Sequence, residues 1–295
     1  MSDIELVVDA HSRIGESPLW SASEQALYWI DIKKPELRRY NEGTGEEQRW
    51  PLPSQVGAFA LTMQPKGALL ALRDGLKQLD FATGAIVDVA PPPYDATLFR
   101  FNDGACDPKG RFFVGVTFEP IEGDGQPKKA SLHSFTLRGG LRRELDISTQ
   151  HNGIAWSPTG SHFYLAHSND GEIWRYHYDP ANGRLNDPEI FAHVAPEVGV
   201  PDGAAVDAEG CYWCALYGSG RLRRYRPDGV LDREIALPVS QPTMCAFGGQ
   251  DLGTLYVTSA AEGLDPQTLE REPHAGGLFR FRPGVKGTAP CAYVR

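Results

Sequence analysis

The chain has 295 residues, 41% apolar and 23% charged, with 29 Lys+Arg against 38 Asp+Glu and a formal net charge of −9. That is globular composition with ample material for a core, which excludes bulk disorder, and an acidic chain with no basic block lacks the clustered cations a nucleic-acid backbone or an anionic membrane surface attracts. No apolar run approaches the roughly 20 residues of a membrane span, and the acidic start Met1-Ser2-Asp3-Ile4-Glu5 lacks the basic opening of a signal peptide, so a cytoplasmic location is expected.

Read in order, the chain shows short strands between turns, in keeping with its 32 Gly and 23 Pro. One phrase recurs: a polar residue, a turn, then a strand rich in aromatic or branched residues. It occurs weakly at Ser21–Leu27, then at Gln64–Leu70, Asp107–Phe113, Ser157–Phe163 and Asp207–Trp213, and weakly again at Gln250–Tyr256. Its anchors are Glu24, Gly67, Gly110, Gly160, Gly210 and Gly253, spaced 43, 43, 50, 50 and 43 residues apart. A second phrase, a strand running into an Asp/Asn turn, follows at Leu37–Gly43, Ile173–Asp179 and Leu222–Gly229. Six copies at this period, each with room for about four strands, predict an all-β fold, one six-bladed β-propeller spanning residues 1–295. Pro91-Pro92-Pro93 reads as a stiff connection between blades. Five cysteines do not make a disulfide framework, and Cys211-Tyr212-Trp213-Cys214 reads as part of a strand with two buried thiols.

Equivalent positions of a propeller lie at equal radius around its channel. Eight residues before each anchor stand Glu16, Phe59, Asn102, Asn152, Asp202 and Cys245. Four of the six carry side-chain oxygens, and an apolar strand-like segment follows each of those four. Taken singly, Asn-Gly and Asp-Gly are hairpin dipeptides. In phase, they predict polar side chains converging at the channel mouth. Two carboxylates and two amides there require a counter-charge, and a divalent cation with oxygen ligands supplies it: Ca²⁺, Mg²⁺ or Mn²⁺. Cys245, also in phase, reads as packed channel wall.

At these residues the sequence resembles the SMP-30/gluconolactonase family, the regucalcin-like lactonases. The matching stretches are Ile14–Trp20, Tyr28–Ile32, Arg100–Gly104, Asn152-Gly153, Pro201–Gly203, Phe247–Gly249, Gly276–Phe279 and the tail Gly284–Pro290. The resemblance implies a six-bladed propeller with one divalent metal on its axis (Ca, Mn, Mg, Zn or Fe) and hydrolysis of sugar-acid lactones. Carried over by motif, it implies Glu16, Asn152 and Asp202 as metal ligands and Arg100 and Asn102 as the substrate-binding pair. A further family acid corresponds to Glu119 or Glu122, in a stretch that departs from the usual pattern. His151 is a further substrate contact to test, with an exposed wall histidine as the alternative.

No Gly-x-Ser-x-Gly elbow supports a serine hydrolase. The expected chemistry is metal-assisted addition of water to a lactone carbonyl, with Asp202 as general base, Asn102 helping to stabilise the oxyanion and Arg100 holding sugar hydroxyls. Two alternatives stand beside it. One is a non-catalytic Ca²⁺-binding regulatory protein built on the same oxygens. The other is a lactonase or phosphotriesterase acting on non-sugar substrates. The expected state is a monomer or small homo-oligomer.

Overall fold

The computed structural model describes residues 3–63, 66–123 and 125–294. Among these, 24 strands form six four-stranded antiparallel sheets. The N-terminal strand β1 (Glu5–Val8) is held for the last sheet. Blade 1 runs from the channel outward as β2 (Gly15–Ser21), β3 (Ala26–Asp31), β4 (Glu36–Asn41) and β5 (Glu47–Pro51). Blade 2 is β6 (Val56–Met63), β7 (Lys66–Leu72), β8 (Gly75–Asp80) and β9 (Ile86–Ala90). Blade 3 is β10 (Phe99–Cys106), β11 (Phe112–Phe118), β12 (Ala130–Thr136) and β13 (Gly140–Ser148). Blade 4 is β14 (His151–Trp156), β15 (His162–His167), β16 (Glu172–Asp179) and β17 (Arg184–His193). Blade 5 is β18 (Val200–Val206), β19 (Tyr212–Tyr217), β20 (Arg221–Tyr225) and β21 (Leu231–Ala236). Blade 6 contains β22 (Pro242–Gly248), β23 (Thr254–Ser259) and β24 (Leu278–Phe281), and β1 completes it from outside, pairing Leu6 with Phe279. The fold is an all-β six-bladed propeller. The two ends of the chain share one sheet, so the ring closes by backbone hydrogen bonds rather than by side-chain packing alone.

Each blade is apolar on both faces, and six buried clusters fill the gaps between neighbouring blades. Tyr28, Trp50 and Phe81 stack between blades 1 and 2, with Trp50 and Phe81 centroids 4.5 Å apart. Aromatic rings suit this position because large flat groups fill a wedge that widens away from the axis. The repeated turn acids are fixed locally. Asp107 Oδ1 accepts from the amides of Lys109 and Arg111, and Asp207 Oδ1 accepts from those of Glu209 and Cys211. These bonds explain the recurrent Asp-x-x-Gly phrase: the aspartate caps the hairpin and Gly110 and Gly210 supply its positive φ. In the copy at Gly67, the preceding Gln64-Pro65 lies outside the described residues.

The eight-residue step holds in four blades and fails in two. Gly67 lies inside β7 and Gly253 immediately before β23, whereas Gly110 and Gly160 sit within their turns. In blades 2 and 6 the anchor is therefore two residues late. Gly57 and Thr243 fall in the inner-strand bulges, and Phe59 and Cys245 lie beyond them. Gly57 is needed there, because a Cβ at that position would lie 2.1 Å from the Phe101 carbonyl oxygen of blade 3.

Candidate metal centre

Every inner strand carries a bulge near its start: between Glu16 and Leu19, Val56 and Ala58, Phe101 and Gly104, Asn152 and Ala155, Pro201 and Ala204, and Pro242 and Met244. A bulge breaks the strict alternation of faces and re-aims side chains. At this end of the channel they surround a cavity of about 250 Å³ walled by Glu16, Arg100, Asn102, Asp103, Asn152 and Asp202. The four in-phase polar residues thus meet in one place.

Hydrogen bonds fix the amides. Asn152 Nδ2 donates to Ser168 Oγ (2.8 Å), so its Oδ1 is the atom presented inward, and it accepts from Asn102 Nδ2 (2.5 Å). Asn102 Nδ2 also donates to the His151 carbonyl (3.0 Å), and Asn102 Oδ1 accepts from Arg100 Nη1 (2.7 Å). The glycine after Asn152 has φ 62°, and a Cβ there would lie 2.2 Å from Tyr212 Oη. The Asn-Gly pair is therefore a demand of the blade 4–blade 5 contact.

The carboxylates are poorly compensated. Burial, then repulsion from Asp202 and Asp103, hold the Glu16 carboxyl well above the carboxylate range, with Arg100 offsetting only part. Burial and the Asp103 charge do the same to Asp202. Burial pushes Asp103 up to about 6. Its Oδ2 accepts from the Ile154 amide across to blade 4 (2.8 Å), while its buried Oδ1 has no partner. Two carboxylates and an amide oxygen around a cavity, short of positive charge, form an oxygen-only donor set that suits a hard divalent cation.

The remaining expected residues divide. Glu122 is exposed, whereas Glu119 reaches the site's edge. Glu119 Oε2 accepts from Arg100 Nε (3.0 Å), and Oε1 accepts from Lys33 Nζ (2.7 Å) and Arg73 Nη2 (2.9 Å). Burial alone would raise its pKa, but Arg100 and Lys33 outweigh burial and bring it to about 2. His151 corrects the sequence expectation. It is fully buried, its Nδ1 lies 3.1 Å from the Val116 carbonyl, and its ring meets His167 edge-on; it is not in the cavity wall. Successive strand residues face opposite ways, so with Asn152 turned inward His151 points between blades 3 and 4. Sequence reasoning missed Lys33, Arg73, Asp103 and Ser168. Only Asp103 carried a signal, as neighbour of an in-phase residue.

Two other features border on this chemistry. Asp207, Glu209 and Cys211 place ligand-type atoms within 4.8 Å of one another. Arg224 already occupies that cluster, donating to Asp207 (2.8 Å) and Glu209 (2.5 Å), and Trp213 Nε1 donates to Asp207 as well. Further along the inner strands, a second cavity of about 270 Å³ is walled by Trp20, Phe59, Trp156, Met244, Cys245 and Phe247 and bordered by Thr288–Cys291. Cys245 is channel wall, at the end away from the carboxylates. All five cysteines are free thiols.

Residues 14–261 match the family described as the SMP-30/gluconolactonase/LRE-like region. A 6-deoxy-6-sulfogluconolactonase of Pseudomonas putida is 37% identical over 97% of both chains. An L-arabinolactonase of Azospirillum brasilense is 36% identical, covering 98% of this chain and 95% of its own. The crystal structure of a calcium-binding protein, regucalcin, from Agrobacterium tumefaciens superposes with a TM-score of 0.93 at 27% identity, over 100% of this chain and 98% of that one.

Proposed function

The chain belongs to the SMP-30/gluconolactonase/LRE-like family, and from that premise we propose that it is a divalent-metal-dependent lactonase that opens sugar-acid lactones to the free acids. The observation that carries the reading is the meeting of Glu16, Asn152 and Asp202 with Arg100 and Asn102 in one axial cavity. Glu16, Asn152 and Asp202 would hold the ion, which supplies Lewis-acid polarisation of a carbonyl. Asp202, half-buried at the cavity wall, takes the proton of the attacking water. Asn102 commits both Nδ2 hydrogens to Asn152 and the His151 carbonyl and its Oδ1 to Arg100, so in place of the oxyanion role expected of it, it positions Asn152 and Arg100. Arg100 donates to substrate hydroxyls, and its pairing with Glu119 fixes the guanidinium plane. Cytoplasmic location belongs to the same proposal; no helix among the described residues is long and apolar enough to cross a membrane.

The test is an assay over pentono- and hexonolactones with chelator treatment and metal add-back. Hydrolysis above the spontaneous rate, lost with EDTA and restored by Ca²⁺, Mn²⁺ or Zn²⁺, supports it. If every aldonolactone stays at its spontaneous rate in all metal-loaded forms, the activity is absent. The oxygen set would then serve calcium binding alone, a reading favoured by the likeness to a calcium-binding relative.

A further inference from the structure

The rim of the site holds more positive charge than its salt bridges need. Lys33, Arg73 and Arg100 all converge on Glu119, and among the described residues none of the three has another carboxylate partner. They come from three blades: Lys33 from the β3–β4 turn, Arg73 from the β7–β8 turn, and Arg100 from β10. Arg73 is bound up in the fold. It donates to the carbonyls of Ala96, Phe99 and Glu119 and to Gln55. Arg100 Nη2 takes no hydrogen bond among the described residues, and Lys33 Nζ, with three donor positions, uses one.

Lys33 is also held in place. Buried Asp31 accepts from the amides of Lys33 (3.1 Å) and Lys34 (3.0 Å) at Oδ1 and from the amide of Arg13 (2.8 Å) at Oδ2, so the turn is locked beneath the lysine. A continuous path of polar contacts leads outward from the axis: Asn152 to Asn102 (2.5 Å), Asn102 to Arg100 (2.7 Å), Arg100 to Glu119 (3.0 Å), and Glu119 to Lys33 (2.7 Å). Ile32 lines the axial cavity and Lys33 follows it in the chain, so a substrate with its carbonyl at the Asn152 end and its far end past Arg100 would approach the lysine. Once the axial carboxylates are engaged by a divalent cation, Glu119 is the one carboxylate among the described residues that pairs with this surplus at the rim.

We propose that Lys33 is a specificity-determining residue and that the preferred lactone carries an anionic group, a sulfonate or a carboxylate, at the end remote from the reacting carbonyl. This rests on the lactonase reading above. The lysine then acts as a compact charge at the end of a site whose hydroxyl-binding part is Arg100.

The experiment compares kcat/KM of the Ca²⁺-loaded protein for neutral gluconolactone, a hexonolactone with a sulfonate at C6, and the lactone of an aldaric acid. Wild type favours one or both anionic lactones, and the arm with the larger ratio identifies the group. In Lys33→Met the anionic-to-neutral ratio falls roughly ten- to hundredfold, the worth of one charge-assisted hydrogen bond, through KM. Lys33→Arg keeps most of the ratio. A wild type that prefers the neutral lactone, or a ratio unchanged in Lys33→Met, overturns the proposal. A purely structural salt bridge lowers both rates together and leaves the ratio alone. If no lactone is opened, the activity reading has failed, and calorimetric titration with the same three lactones decides about Lys33. Anionic lactones binding more weakly to Lys33→Met than to wild type support it; equal binding sinks it.

Discussion

Two buried groups of acids in this propeller have the same residue types and opposite circumstances. At the blade 5 hairpin, Asp207 is fully buried, and its two oxygens receive two backbone amides, the Trp213 indole and Arg224. At the axis, Asp103 has one oxygen unpartnered, while burial holds Glu16 and Asp202 toward protonation, helped by the charges of Asp202 and Asp103 at Glu16 and of Asp103 at Asp202. The hairpin acid is complete as folded, whereas the axial acids are short of donors and of positive charge. Burial alone therefore does not distinguish a structural acid from a functional one; the count of donors around it does.

The comparison is sharpest where one acid of each kind is removed. Asp202→Asn should lower lactone hydrolysis by about a hundred- to ten-thousandfold, the range of a positioned general base, and weaken metal binding. It should leave the metal-free melting temperature unchanged or higher, since a repelled carboxylate is lost. Measured together, a drop in both activity and metal-free stability would place Asp202 with the hairpin acids. Asp207→Ala should do the reverse. It leaves Arg224 and the indole without their shared acceptor and costs about 3–5 kcal/mol of stability, read by denaturant unfolding. Kinetics of the surviving folded fraction should match wild type. The metal itself gives the third measurement: at a hundredfold excess over Kd it should add about 2.7 kcal/mol to wild-type stability and far less to Glu16→Gln.

The fold was legible because its hairpin chemistry repeats. Asp107, Ser157 and Asp207 open turns closed by Gly110, Gly160 and Gly210, and local turn chemistry survives in any context. The same phrase located Glu16, Asn102, Asn152 and Asp202. It misplaced Phe59 and Cys245, because the anchor shifts by two residues where strand pairing, rather than the turn, holds the glycine. The closing strand β1 is four residues with little burial at its start, too weak a pattern to assign. Lys33 and Arg73 were not legible for a different reason. Each meets Glu119 only because turns of different blades converge, 86 and 46 residues away in sequence. His151 was misread because it lies before the β14 bulge, where residues still alternate, so with Asn152 turned inward it faces the other way.

Glu119 stands between the two kinds of acid, and the smallest expected effect tests it. It has its full complement of cations, like Asp207, but at the edge of the axial site. Its folded pKa of about 2 lies below the ordinary carboxylate value of 4.5. A depressed carboxyl stabilises the fold wherever it is ionised in both states, so its contribution is complete above about pH 4.5 and disappears as pH falls through the folded value near 2. Its side chain is 27% exposed and solvent screens the pairs, so the effect should be near 1 kcal/mol rather than the full value of the shift. Unfolding curves of wild type and Glu119→Gln should therefore be separated at pH 6 and converge as pH falls from about 4.5 toward 2, with wild type the more stable form. If the gap widens on acidification, Glu119 is held toward protonation as Glu16 is, and the three surrounding cations serve something other than this carboxylate.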